Sequence, residues 1–163
     1  MDAKNTLSQR TCGPGCTFTV ELDAAGLAPG GFAGLAALQF SCAMIGVEAG
    51  RGGRFRVLTA RRDAPRGMPG GPQLPPGPQY ELDSAPLPDG HVFLRADFDF
   101  RDAVDTAVFS WSPDASRWNT LGGSEKLSFD LRYFVSTRSR TVLLRRRLGG
   151  FPQFRSGGAK RLK

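Results

Sequence analysis

Four carboxylates, Asp97, Asp99, Asp102 and Asp105, fall close together in the sequence, and clustered oxygen ligands are what a hard divalent cation such as calcium takes. Their spacing does not follow the twelve-residue calcium loop, and Arg95 and Arg101 lie among them, so the run reads as a solvated, self-neutralised strand face. Asp97 and Asp99 would stand roughly 7 Å apart on one side of a strand, a separation that suits an acid and a base flanking a water. Glycoside hydrolysis, however, needs one carboxyl desolvated and the other across the substrate, and two neighbours on one exposed face do not provide that. The single histidine, His91, stands beside a glycine at the start of a strand and leaves no material for histidine-activated nucleophiles or multi-histidine metal sites. No nucleophile elbow, P-loop or dinucleotide fingerprint is present. The sequence therefore predicts no catalytic residue, metal or cofactor. Trp111 and Trp118 are the residues whose faces could stack on a pyranose ring; the alternatives are core packing for Trp111, which is in phase with Phe109, and packing across a hairpin for Trp118.

Three cysteines, Cys12, Cys16 and Cys42, are too few and wrongly spaced for a structural zinc site. They read as small buried residues or free thiols, although Cys12 and Cys16 flank Gly-Pro-Gly and could close a small loop in an oxidising compartment. The formal charge of +7 is unevenly placed. Nine of the 22 basic residues and none of the 15 acidic ones lie from Arg138 onward, which leaves 13 basic against 15 acidic upstream, a net of −2. Phosphate binding through Arg145, Arg146 and Arg147 would thus belong to a tail, and no aromatic platform accompanies it, so a nucleic-acid partner is not expected. The N-terminal residues have no apolar export core and no stretch approaches a membrane span, so a soluble chain with neither membrane contact nor export signal is expected.

These side chains must be positioned by strands. From Phe93 to Arg101 the residues Leu94, Ala96, Phe98 and Phe100 alternate with Arg95, Asp97 and Asp99, a period of two that a pleated strand produces. Cys16–Asp23 alternates in the same way, with Cys16, Phe18, Val20 and Leu22 on one side. Phe32–Phe40 is almost continuously apolar and predicts a strand covered on both faces. Met44–Glu48 and Arg54–Thr59 read as a hairpin across Ala-Gly-Arg-Gly-Gly, and Thr106–Trp111, Trp118–Leu121 and Leu127–Leu131 as further short strands. Residues 61–79 hold six prolines, which lack amide donors, and read as an exposed insertion. Seven or eight strands in 163 residues, with frequent glycine and proline, predict a single all-β domain, a two-sheet antiparallel sandwich.

The run Asn5–Thr11 (NTLSQRT), Val20–Gln39, Ile45–Val47 and Val92–Trp118 (VFLRADFDFRDAVDTAVFSWSPDASRW) resembles the C-terminal β-sandwich of family 43 β-xylosidases and α-L-arabinofuranosidases over roughly residues 3–137. The resemblance implies a concanavalin A-like jelly roll that serves as an accessory domain, with a five-bladed propeller as the catalytic partner and xylo-oligosaccharides as substrates of the whole enzyme. A stand-alone lectin-like sugar-binding module is the alternative. In the family the sandwich lends a loop that closes the active-site pocket; by position that loop resembles Gln9–Cys16, with Gln9, Arg10, Thr11 and Pro14 as its candidate pocket residues. Three departures stand out: Asp114–Ala115 where the family hairpin has Asp-Gly, the long insertion at 61–79, and residues 138–163, Arg-rich where the family has aromatic and apolar closing strands. That last segment is expected to be an irregular basic tail, as from a shifted reading frame, leaving the sandwich incomplete at its final strands.

Overall fold

The computed structural model describes residues 5–38, 41–63, 78–127, 138–144 and 153–161. Among these residues the backbone forms eleven strands, β1 (Asn5–Arg10), β2 (Gly15–Asp23), β3 (Phe32–Leu38), β4 (Cys42–Ala49), β5 (Phe55–Arg62), β6 (Gln79–Leu87), β7 (His91–Asp99), β8 (Thr106–Ser112), β9 (Asn119–Lys126), β10 (Arg138–Leu144) and β11 (Gln153–Arg161). They build two antiparallel sheets, one in the order β1-β10-β3-β4-β5-β6 and the other in the order β11-β2-β7-β8-β9. The expected two-sheet all-β sandwich is thus the fold. Among the described residues no helix is long and apolar enough to cross a membrane.

The alternation read from the sequence sets the central pairing. Cys16, Phe18, Val20 and Leu22 of β2 lie opposite Phe98, Ala96, Leu94 and Val92 of β7, and all eight are buried in the core between the sheets. Because the side-chain period is two, a slip of one residue would turn this whole row to water, so burial holds the register. Phe98 meets Phe18 edge-on, with ring centroids 5.8 Å apart, and stacks on Phe100 at 6.0 Å.

The apolar run of β3 behaves as expected of a strand covered on both faces. Ala33, Leu35 and Ala37 join the central core, whereas Phe32 and Ala36 belong to a second buried cluster with Cys42, Met44, Leu58 and Ala60 on the other face of the same sheet. Across the sandwich's open side, the Gly122 amide of β9 donates to Asp83 Oδ2 of β6 at 3.1 Å and ties the two sheets' edges together.

Several boundaries differ from the sequence reading. The expected insertion at 61–79 is shorter at both ends, because Arg61 and Arg62 pair with Tyr80 and Gln79 and prolong the β5–β6 ladder; residues 64–77 lie outside those described. The strand expected at Leu127–Leu131 is described only at Leu127, which is buried after β9. The largest correction concerns residues 138–163, expected to be irregular. Two segments of them are strands: β10 fills the gap between β1 and β3, and β11 extends the second sheet beyond β2. Composition points away from this because the pairing groups are backbone amides and carbonyls, which any non-proline sequence carries, and their partners lie far away along the chain.

Candidate functional site

At one end of the sandwich the β1–β2 connection meets the β7–β8 connection. β2 and β7 pair with Gly15 opposite Asp99, which carries Pro14 alongside the residue after β7, and the Phe100 amide donates to the Pro14 carbonyl at 2.9 Å. Between them lies a cleft of about 300 Å³ lined by Pro14, Asp97, Asp99, Arg101, Thr106 and Val108, among others.

Each carboxylate in this cleft is already partnered. The Thr17 hydroxyl donates to Asp97 Oδ1 at 2.5 Å, and Arg95 Nε lies 2.9 Å from Asp97 Oδ2. Arg101 donates to Asp99 twice through its guanidinium, at 3.0 and 2.7 Å, and once through its amide at 3.0 Å. The Arg101 hydrogen bonds hold the Asp99 carboxyl down at about 2. A general acid for glycoside cleavage must hold a proton near neutral pH, which requires the opposite shift. The chemistry left to the cleft is hydrogen bonding: fixed carboxylate acceptors and a guanidinium donor, the groups that meet sugar hydroxyls.

Asp102 and Asp105 do not join this pair. They sit in the β7–β8 connection with φ of 50° and 44°, where Lys126 Nζ donates to the Val104 carbonyl at 2.7 Å and the Leu127 amide to the Asp105 carbonyl at 2.7 Å. Among the described residues no group of three or more histidine, cysteine or acidic side chains could hold a metal ion.

Of the four residues expected to form a pocket loop, Pro14 lines the cleft. Gln9 and Arg10 end β1, exposed and paired with Ser139 and Arg138, and Thr11 follows half-buried. The tryptophans are both engaged by protein. Trp111 lies opposite Leu94, on the core side of β8, and packs against the central cluster. The Arg95 guanidinium sits 4.3 Å above the Trp118 ring, a cation–π contact that covers one face. The sequence reading places Asp97 and Asp99 on an outward face with Arg101 close by but cannot bring Pro14 beside them; the register between β2 and β7, strands about 80 residues apart, does that.

At the opposite end, the β8–β9 turn carries the departure at Asp114–Ala115. Ser112 Oγ and the amides of Ser116 and Arg117 all donate to Asp114 Oδ1, at 2.9, 2.8 and 3.1 Å. Ala115 keeps the left-handed conformation, φ 60°, that a glycine would adopt freely. Ala115→Gly should therefore raise the unfolding free energy by about 1 kcal/mol, the released left-handed strain exceeding the extra chain entropy of glycine; urea denaturation of the two chains measures it.

The same turn sets an acid response. The Arg117 and Ser116 amides hold the Asp114 carboxyl below its ordinary range, as Arg101 holds Asp99 at about 2. Both pKa values are depressed in the folded chain, so their contributions are fully present above the ordinary value of 3.8 and are lost as the pH falls below it. Melting temperature should fall between about pH 4 and pH 2, and Asp114→Asn should flatten part of that fall. An equally steep fall in the variant would show that the carboxylate does not couple to folding.

The family model for the β-xylosidase C-terminal concanavalin A-like domain matches residues 1–137. No curated protein sequence matches the chain. Among solved structures, the bifunctional GH43-CE protein of Bacteroides eggerthii is 28% identical with a TM-score of 0.78, the match covering 97% of this chain and 20% of that one. An engineered GH43 glycoside hydrolase with both endo-xylanase and exo-arabinofuranosidase activity is 25% identical with a TM-score of 0.78, covering 96% of this chain and 30% of that one. The GH43 protein BlXynB of Bacillus licheniformis, 19% identical with a TM-score of 0.65 over 96% of this chain and 28% of its own, shares the fold. The chain thus spans 20–30% of the length of these enzymes. Its two-sheet sandwich and this match over residues 1–137 lead to one assignment: the chain belongs to the β-xylosidase C-terminal concanavalin A-like domain family.

Proposed function

We propose that this domain serves a family 43 β-xylosidase-like enzyme acting on xylo-oligosaccharides or related arabinose-bearing sugars, with a five-bladed propeller domain as its catalytic partner, and that the Gln9–Cys16 loop, the end of β1 with the β1–β2 connection, walls the sugar pocket. The observation that carries the reading is the family match over residues 1–137, which includes that connection. The activities of the engineered glycoside hydrolase, endo-xylanase and exo-arabinofuranosidase, support the substrate class. The Arg101-paired state of Asp99 supports an accessory role, since a carboxyl held ionised is not set up to donate a proton.

Aryl xylosides and arabinosides incubated with the isolated chain should show no turnover above buffer, and the chain should co-elute with a family 43 catalytic propeller and raise its activity on xylo-oligosaccharides. Turnover by the chain alone that disappears in Asp97→Asn or Asp99→Asn would overturn the reading. In the assembled enzyme, replacing Gln9 and Arg10 by alanine should raise KM severalfold with a smaller change in kcat, as expected of a wall that binds and does not react.

A further inference from the structure

Cys12 and Cys16 bracket Gly13-Pro14-Gly15, the turn that forms one wall of the cleft. Both are free thiols. The Cys12 amide donates to Cys16 Sγ at 3.4 Å, which sets that sulfur against the Cys12 backbone across the turn. Cys16 is fully buried in the central core, and half-buried Cys12 packs against that same cluster. The third cysteine, Cys42, lies in the separate cluster on the far face of the other sheet and cannot compete. The turn is also tied to the β7–β8 connection through the Pro14 carbonyl and the Phe100 amide.

We propose that Cys12 and Cys16 form a reversible disulfide that locks the Pro14 turn against the β7–β8 connection, making the shape of the cleft wall sensitive to redox conditions. The oxidant is a small-molecule disulfide such as glutathione disulfide. The Cys12 thiolate, reachable from solvent, attacks one of its sulfurs, forming a mixed disulfide and releasing one thiolate. Cys16 then gives up its proton to solvent and attacks the Cys12 sulfur, forming the Cys12–Cys16 bond and expelling the second thiolate. Overall two protein thiols lose two electrons and two protons, and one external disulfide becomes two thiols. Burial pushes the Cys16 thiol up to about 11, so the second step should accelerate as the pH rises.

The test equilibrates the native chain in glutathione redox buffers, quenches it with acid, and alkylates the free thiols after denaturation. The expected product has lost two hydrogens, takes up one alkyl group at Cys42, and yields a linked Cys12–Cys16 peptide. The same equilibrium in guanidinium-denatured chain should lie about tenfold or more toward the dithiol, because folding already holds the ends of this loop together. Cys16→Ser should instead accumulate a stable glutathione adduct at Cys12. Equal native and denatured equilibria, a stable adduct on the unmutated chain, or a linkage involving Cys42 would each overturn the proposal, and the first two need no variant to fold. The lock itself is read by hydrogen exchange: the Phe100 amide should exchange severalfold more slowly in the oxidised chain, and unchanged exchange would show that the bond forms without locking the turn.

Discussion

Phe98→Ala should lower the unfolding free energy by about 4 kcal/mol, the upper part of the range for emptying a buried aromatic site. The ring is 1% exposed, sits opposite Cys16 at the centre of the β2–β7 pair, and touches Phe18 and Phe100 with its edge and its face. Its removal deletes a large apolar surface and leaves a cavity that two neighbouring sheets cannot both close. Against a typical total of about 5–15 kcal/mol for a domain, the variant should be close to unfolding at room temperature. Phe93→Ala, five residues earlier on the outward face of the same strand, is the control and should cost about 1 kcal/mol. Denaturant titration of both variants decides the matter. Similar losses would mean that the inward and outward rows of β7 are misassigned, because a slip of one residue exchanges them.

Gly34→Ala is expected to cost about 3 kcal/mol or more, from overpacking and not from a cavity. Gly34 lies directly opposite Gly46 where β3 meets β4. A Cβ built on Gly34 would collide with the Ile45 carbonyl and the Gly46 Cα, which are backbone atoms that cannot swing aside as a side chain could. On the other strand a Cβ at Gly46 would run into the Ala33 carbonyl and the Phe32 ring. Relief therefore requires the two strands to separate, which strains the ladder they share and disturbs the Phe32 cluster on the far face. Gly123→Ala in β9, where a Cβ meets nothing within 4 Å, should leave stability nearly unchanged. Equal effects at the two positions would sink the close-approach explanation.

The pairing of Asp99 with Arg101 bears on how far the cleft can be read as chemistry. Arg101 is mostly exposed and Asp99 partly so, so their contact supplies only a small share of the acid-sensitive stability. Its consequence is for reactivity: a carboxylate held ionised accepts hydrogen bonds and does not protonate a leaving group. That agrees with the accessory role proposed for the domain.

Sequence by itself determined the elements whose information is local. The period-two rows of β2 and β7 and the doubly apolar β3 follow from side-chain alternation, and each lies where the pattern predicts. Tertiary structure alone decided what depends on partners distant along the chain. β1 and β10 show little apolar alternation, yet each is a strand because a neighbour offers it backbone donors and acceptors. The cleft has the same origin, since Pro14 reaches Asp99 through the β2–β7 register, and no short-range pattern encodes a pairing across more than 80 residues. Trp118 makes the point in a single side chain: its type says nothing of the Arg95 guanidinium that the fold sets over one face of its ring. Side-chain alternation is written in the chain residue by residue, whereas backbone pairing is common to every residue and acquires meaning only when the sheets close.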